Sequence, residues 1–394
     1  MSVYVHFPWC LAKCPYCDFV SYATPREAID HDGYANAVID EFEARVQALP
    51  GPSPRIGSIF FGGGTPSLWR AAALGRVLRA IASRFDSVAD LEVTVECNPT
   101  SLDRDVAEAL ADRGVTRLSI GAQALRTDQL RFLGRLHDAD GARHAIDAAL
   151  GSSIRRVSAD MIFGLPGQSP DDARAQAEAL LAMGLDHMSC YQLTIEAGTR
   201  FGELAKRGRL PRAEDGMVAD AFVAIDAALS SRGLVHYEIS NYAKPGEEAR
   251  HNLAYWRGDE YLGLGCGAVG FIRTSVGGEA RGVRYRNETD PGRYVDAARH
   301  AAPVFGEGDS FAIESEPLEG ATLLRERIML GLRLRGGLDL AAAAADLGVF
   351  PWTVERERAA TQLVARHRLE RNGDRIRIPA PAWLWADDTA ARLF

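Results

Sequence analysis

From residue 1 to about 240, short apolar runs alternate with longer stretches of helical period. Val3 to Phe7, Ile56 to Phe61, Leu91 to Glu96, Arg117 to Ile120, Val157 to Ile162 and Met188 to Leu193 read as strands. Between them, Tyr34 to Leu49, Ala71 to Phe85, Val106 to Arg113, Ala142 to Leu150 and Ala173 to Ala182 read as amphipathic helices. This alternation predicts an α/β fold in which a parallel sheet with helices outside curls into a partial, TIM-like (β/α)6 barrel. Six units rather than eight leave such a barrel open on one side, with room for a large substrate.

After about residue 300 the period changes. Leu323 to Leu334, Leu338 to Leu347 and Trp352 to Ala365 read as helices punctuated by Gly336, Gly337 and Pro351, and Ile376 to Ile378 follows Gly373 and Asp374 as a short strand. These elements suggest a small, mainly helical, winged-helix-like module. The expected layout is a barrel at 1–240, a connecting segment at 241–305 and the C-terminal module at 306–394. No basic recognition helix stands out, so the module reads as a lid or partner surface rather than a DNA reader.

The chain has 394 residues and a net charge of −8, enough for a large core and unsuited to bulk nucleic-acid binding. No apolar run of about 18 residues appears, and the first residues lack a basic stretch before a hydrophobic one. A cytoplasmic protein is expected, with peripheral association at a membrane left open. Six cysteines, three clustered and three scattered at Cys97, Cys190 and Cys266, do not form a disulfide framework.

The clustered three carry the chemistry. Cys10, Cys14 and Cys17 form CxxxCxxC on the loop after the first strand, where α/β folds place their reactive groups. Structural iron clusters and zinc sites normally take four protein ligands. Three thiolates on a 4Fe–4S cluster leave one iron open to a small molecule, and an open iron at low potential can hold S-adenosylmethionine and cleave it to a radical. Zinc with a distant fourth ligand, or inert thiols, are the alternatives that spacing alone leaves standing.

Other candidates also sit where predicted strands end. Gly62, Gly63 and Gly64 lead into Thr65 and let the backbone come close to a ligand, although such a turn can also be merely flexible. Glu96 closes the third strand, Gln123 follows the fourth, Arg135 lies in GRLHD, and Asp160 is embedded in an apolar fifth strand where an unpaired carboxylate is costly. Each alone reads as a surface or salt-bridged residue. Together they converge on one end of a barrel with chemistry for ribose hydroxyls and for a methionyl carboxylate.

YVHFPWC, CPYCDF, FFGGGTPS, ECNP, SIGAQ, GRLHD and DMIFGLPGQ resemble motifs of radical S-adenosylmethionine proteins of the oxygen-independent coproporphyrinogen III oxidase group, and the resemblance runs along nearly the whole chain. The resemblance implies Cys10, Cys14 and Cys17 as cluster ligands. It implies Tyr4, Tyr16, Gly63, Gly64, Thr65, Glu96, Gln123, Arg135 and Asp160 as S-adenosylmethionine contacts. The oxidases of this group have a long arm before the first strand and a further cysteine two positions after the motif, where this chain has Phe19.

His251, Asn252, Tyr255 and Trp256 spell HNxxYW, which resembles the heme-binding signature of the group's heme-chaperone branch, the HemW type. An imidazole can ligate iron and the aromatics offer flat faces to a porphyrin, whereas a histidine among aromatics is also common as a packed core residue. Arg281, Arg284 and Arg286 are candidates for pairing with propionates. The expected function is that of a chaperone carrying heme to apoproteins, respiratory ones among them, with an electron donor for the cluster. The alternative is radical oxidative decarboxylation of coproporphyrinogen III in porphyrin biosynthesis; whether the chain is an enzyme is therefore open at this point.

Overall fold

The computed structural model describes residues 1–51, 54–276, 279–299, 305 and 309–394. All six expected strands are present: β1 (Ser2–Phe7), β2 (Ile56–Gly63), β3 (Ser87–Cys97), β4 (Arg117–Gln123), β5 (Arg156–Phe163) and β6 (His187–Gln192). The helices between them include α1 (His31–Ala48), α2 (Ala71–Arg84), α3 (Arg104–Ala111), α4 (Thr127–Phe132), α5 (Ala139–Leu150) and α6 (Pro170–Leu181). Neighbours from β1 to β6 pair in parallel, with Val5 opposite Phe61 and Glu96 opposite Ser119.

Side chains alternate across each strand, and this alternation builds the two layers. Val3, Val5 and Phe7 are fully buried, with Phe7 stacked on Trp69 and edge-on to Tyr34 of α1. Tyr4 and His6 face the opposite side, where Tyr4 stacks on Phe60. One face of the sheet is therefore apolar against helices, and the other is polar and aromatic.

Described strands within the stretch 241–305, expected as a connecting segment, extend the sheet. After α7 (Arg200–Lys206), α8 (Asp215–Ser231) and β7 (Val235–Glu238) come β8 (Asn241–Ala243), α9 (Arg250–Trp256), β9 (Tyr261–Leu264), β10 (Val269–Val276) and β11 (Glu279–Asn287). β9 pairs in parallel with the outer side of β1, and β10, β11 and β12 (Ala312–Glu319) continue antiparallel. The twelve strands run β12-β11-β10-β9-β1-β2-β3-β4-β5-β6-β8-β7, an order with two free ends and hence an open barrel. The expected boundary at residue 306 lies outside the described residues.

A buried ion network ties α1 to the antiparallel extension. Arg45 donates to Glu41 at 2.7 Å, to Asp309 at 2.6 Å and to Asn287 at 2.9 Å, and its guanidinium lies 3.9 Å from the Tyr285 ring centre. Pairing with Glu41 and Asp309 is what makes the buried guanidinium tolerable, because an unpaired charge at this depth would be strongly destabilising.

Helix α10 (Pro291–Ala298) packs back on α1, and its Tyr294 and Ala298 belong to the barrel core. The C-terminal module comprises α11 (Gly320–Gly331), a strand at Leu338–Asp339, α12 (Leu340–Asp346), α13 (Val354–Ala365) and strands at Glu370–Asn372 and Arg375–Arg377. From α11 onward this is the helix–strand–helix–helix–strand–strand order of a winged helix. Leu340, Leu363 and Ile376 belong to a core distinct from that of the barrel. Among the described residues, no helix is long and apolar enough to cross a membrane.

Candidate functional site: two adjoining cavities at the strand ends

The C-terminal ends of β1 to β6 surround a cavity of about 420 Å³ whose lining includes Cys10, Cys14 and Cys17. The cysteine loop is anchored by pairing of Trp9 and Cys10 with Tyr22 and Ala23. His6 anchors it from below. Its Nε2–H donates to the Val20 carbonyl at 2.7 Å, and its Nδ1 accepts from the Tyr4 hydroxyl at 2.9 Å. Burial lowers the His6 pKa to about 4, so the ring is neutral and this tautomer is held.

The glycine turn is shaped by the cysteine loop as much as by any ligand. Gly64 N–H donates to the Phe7 carbonyl at 2.7 Å and Thr65 N–H to the Trp9 carbonyl at 2.8 Å. Gly63 has φ +104°, and a Cβ there would lie 2.5 Å from the His6 ring; a Cβ on Gly64 would lie 2.6 Å from the Trp9 carbonyl oxygen. Both positions exclude a side chain.

Polar groups from the glycine turn and the cavity wall then reach the cysteines. Thr65 Oγ1 donates to Cys10 Sγ at 3.3 Å, and Arg135 Nη1 donates to Cys14 Sγ at 3.5 Å. Donors of this kind stabilise thiolate charge. Arg135 Nη2 is held by the Gly121 carbonyl at 3.0 Å, while its buried Nε has no partner. Gln123 also lines the cavity with a buried, unpartnered Oε1, and it adopts φ +63°, rare for a residue with a side chain.

Two carboxyls complete the wall. Glu96 accepts from Gly63 N–H at 3.1 Å, and Asp160 accepts from Ser119 at 3.0 and 3.1 Å. Burial, reinforced by the Asp160 carboxylate, pushes the Glu96 pKa up to about 8, and burial likewise raises that of Asp160.

These residues fit the expected groups. Three thiols share one cavity, the donor set of a cluster that keeps one iron open. The orphaned Arg135 Nε and Gln123 Oε1 offer a donor and an acceptor to a bound molecule, as buried polar groups without partners should.

Of the residues expected here, Tyr16, Gly63, Gly64, Thr65, Glu96, Gln123, Arg135 and Asp160 line this cavity with the cysteines, and Tyr4 does not. Asn98, Ser119 and Tyr191 line it as well and were not expected. Tyr191 lies near the end of β6, so the rule that picked out Glu96 and Gln123 would have found it.

A second cavity of about 440 Å³ adjoins the first, sharing Asp18 and Phe19 as a common wall. Tyr4 and His6 lie on its barrel side, with Tyr255, Tyr261, Arg284 and Arg286 around it. Alternation along β11 puts Arg281 on the other face, away from these two arginines.

The HNxxYW residues are not gathered at one surface. His251 is only 1 % exposed, its ring stacked on Phe60 at 4.8 Å and covered edge-on by Tyr255 at 4.9 Å. Its Nδ1 hydrogen-bonds Ser58 Oγ at 2.9 Å, its Nε2 is buried without a partner, and burial lowers its pKa to about 3. Trp256 faces Arg333 of the C-terminal side, 5.4 Å from ring centre to guanidinium carbon. Asn252 is half-buried on α9, and neither it nor Trp256 lines the two cavities.

Residues 4–180 match the radical SAM superfamily, and residues 318–385 match the HemN C-terminal domain. The heme chaperone HemW of Mycobacterium tuberculosis is 34% identical over 389 residues, covering 98% of this chain and 93% of that protein. The chain belongs to the HemW family. HemW of Escherichia coli is 37% identical over 301 residues, 76% of this chain and 78% of its own. Among solved structures, the radical SAM enzyme coproporphyrinogen III oxidase (HemN) of Escherichia coli superposes with a TM-score of 0.80 over 100% of this chain and 89% of its own, at 20% identity. That likeness establishes a shared fold between HemN and this HemW-family chain.

Proposed function

We propose that this chain is a heme chaperone of the radical SAM superfamily, which binds heme beside a 4Fe–4S cluster and S-adenosylmethionine and delivers the heme to apoproteins. The observation that carries the reading is kinship along nearly the whole chain with proteins named heme chaperones, against a likeness to the oxidase that is one of fold. Phe19 supports it, standing where the resemblance to the oxidases expects a cysteine.

Cys10, Cys14 and Cys17 would hold the cluster, which when bound and reduced would supply an electron to the sulfonium of S-adenosylmethionine and leave one iron position open to it. Arg135 would bind the methionyl carboxylate through its free Nε, while Gln123, Glu96 and Asp160 take the ammonium and ribose groups. Tyr16 lines the same cavity and Phe19 its outer edge, where they limit water at the cysteines. The chaperone works in the cytoplasm, at times against the membrane surface, with respiratory apoproteins as acceptors and a separate electron donor for the cluster.

The test is product analysis after anaerobic incubation of the cluster-loaded chain with coproporphyrinogen III, S-adenosylmethionine and reductant. The chaperone reading expects the porphyrinogen to be recovered unchanged. Formation of vinyl products would establish the decarboxylase instead.

A further inference from the structure

The second cavity has the features of a tetrapyrrole site, and His251 does not open onto it. Its volume of about 440 Å³ falls within the ~300–1,000 Å³ usual for sites that enclose sizeable ligands. Tyr255 and Tyr261 meet edge to face at 4.5 Å on its wall, giving flat apolar surface with polar tips.

The two arginines there differ in availability. Arg284 is engaged by Glu316 at 3.3 Å and by Glu326 at 2.6 Å. Among the described residues Arg286 pairs only with Glu314, at 3.9 Å, and its side chain is 40% exposed. An incoming carboxylate can therefore take Arg286 without breaking a short ion pair. By contrast, an iron atom could reach His251 Nε2 only by parting the ring from Phe60 and Tyr255, which enclose it.

Resting on the heme-chaperone reading, we propose that a dicarboxylate tetrapyrrole docks in this second cavity, with its ring against Tyr255 and one carboxylate on Arg286, while His251 stays buried behind Tyr255. The docked ring would share the Asp18–Phe19 wall with the cofactor cavity, placing cargo and cofactor on opposite sides of one loop.

The test titrates the cluster-loaded full chain with hemin and with hemin dimethyl ester, followed by Soret absorbance. Replacing Arg286→Ala should weaken hemin about tenfold, the scale of one charge-assisted contact at a half-exposed site, and Arg286→Lys should restore most of it. The ester, lacking carboxylates, should bind the wild type more weakly and be indifferent to Arg286. Unchanged cluster absorbance shows that each variant is folded. Equal hemin affinity in wild type and Arg286→Ala, or an ester that binds as tightly as the diacid, would overturn the site. So would loss of hemin binding in a folded His251→Asn variant. A wild-type chain that binds no hemin saturably sinks the chaperone reading and this site together, whereas binding that ignores Arg286 sinks the site alone.

Discussion

Substituting Arg135→Gln removes a guanidinium that holds two parts of the cofactor cavity at once. The change takes away the donor to Cys14 Sγ at 3.5 Å, the tie to the Gly121 carbonyl at 3.0 Å and the unpartnered Nε that faces the cavity. A hydrogen bond to a charged partner contributes roughly 1.5 to 3 kcal/mol, and this site is buried, so the upper half of that range applies. About 2 to 3 kcal/mol corresponds to a loss of S-adenosylmethionine affinity on the order of 30- to 140-fold. Anaerobic equilibrium dialysis with labelled S-adenosylmethionine measures it, with iron–sulfur absorbance confirming that the cluster is loaded. Hemin affinity serves as an internal control, because Arg135 does not line the second cavity. An Arg135→Gln protein with a full cluster and S-adenosylmethionine affinity within threefold of wild type would refute this account of the cavity.

The Glu96 pKa of about 8 lies above its ordinary 4.5, so this group destabilises the ligand-free fold increasingly as pH rises from about 4.5 to about 8. If bound S-adenosylmethionine ionises it, about 0.9 proton should be released per ligand at pH 7; calorimetry in buffers of different ionisation enthalpy reads this, and zero release would contradict it. Gly63→Ala forces a side chain into φ +104° and against His6, so denaturant unfolding should show a loss of about 1 to 3 kcal/mol from backbone strain alone, together with weakened S-adenosylmethionine binding. Arg45→Met leaves Glu41 and Asp309 buried without their cation and should cost roughly 3 to 5 kcal/mol in the same assay; a change under about 1 kcal/mol would mean that the network is dispensable.

The barrel was legible because its strands are buried runs ending in chemistry-bearing residues. Val3, Val5 and Phe7 announce β1, and the cysteines follow it. The antiparallel extension was not legible for the opposite reason. β11 reads EARGVRYRN, in which arginines alternate with Val283 and Tyr285 because one side of the strand carries charged side chains, and β9 is only four residues long. His251 shows a different limit. Its neighbours in sequence are aromatic, as a heme site would need, but Phe60, which stacks on it, lies on β2, and Tyr255 closes over it one helical turn away. His251 and Tyr255 thus pack together against Phe60, and the cavity lined by Tyr255 is completed by Arg284 and Arg286 from a strand that local pattern did not reveal.

The central claim, that this chain is built to carry heme, is tested most directly by titrating the cluster-loaded protein with hemin under anaerobic conditions. The account predicts a Soret transition that saturates at one heme per chain. A rise in absorbance that never saturates, as expected for adsorption to exposed apolar surface, would contradict it.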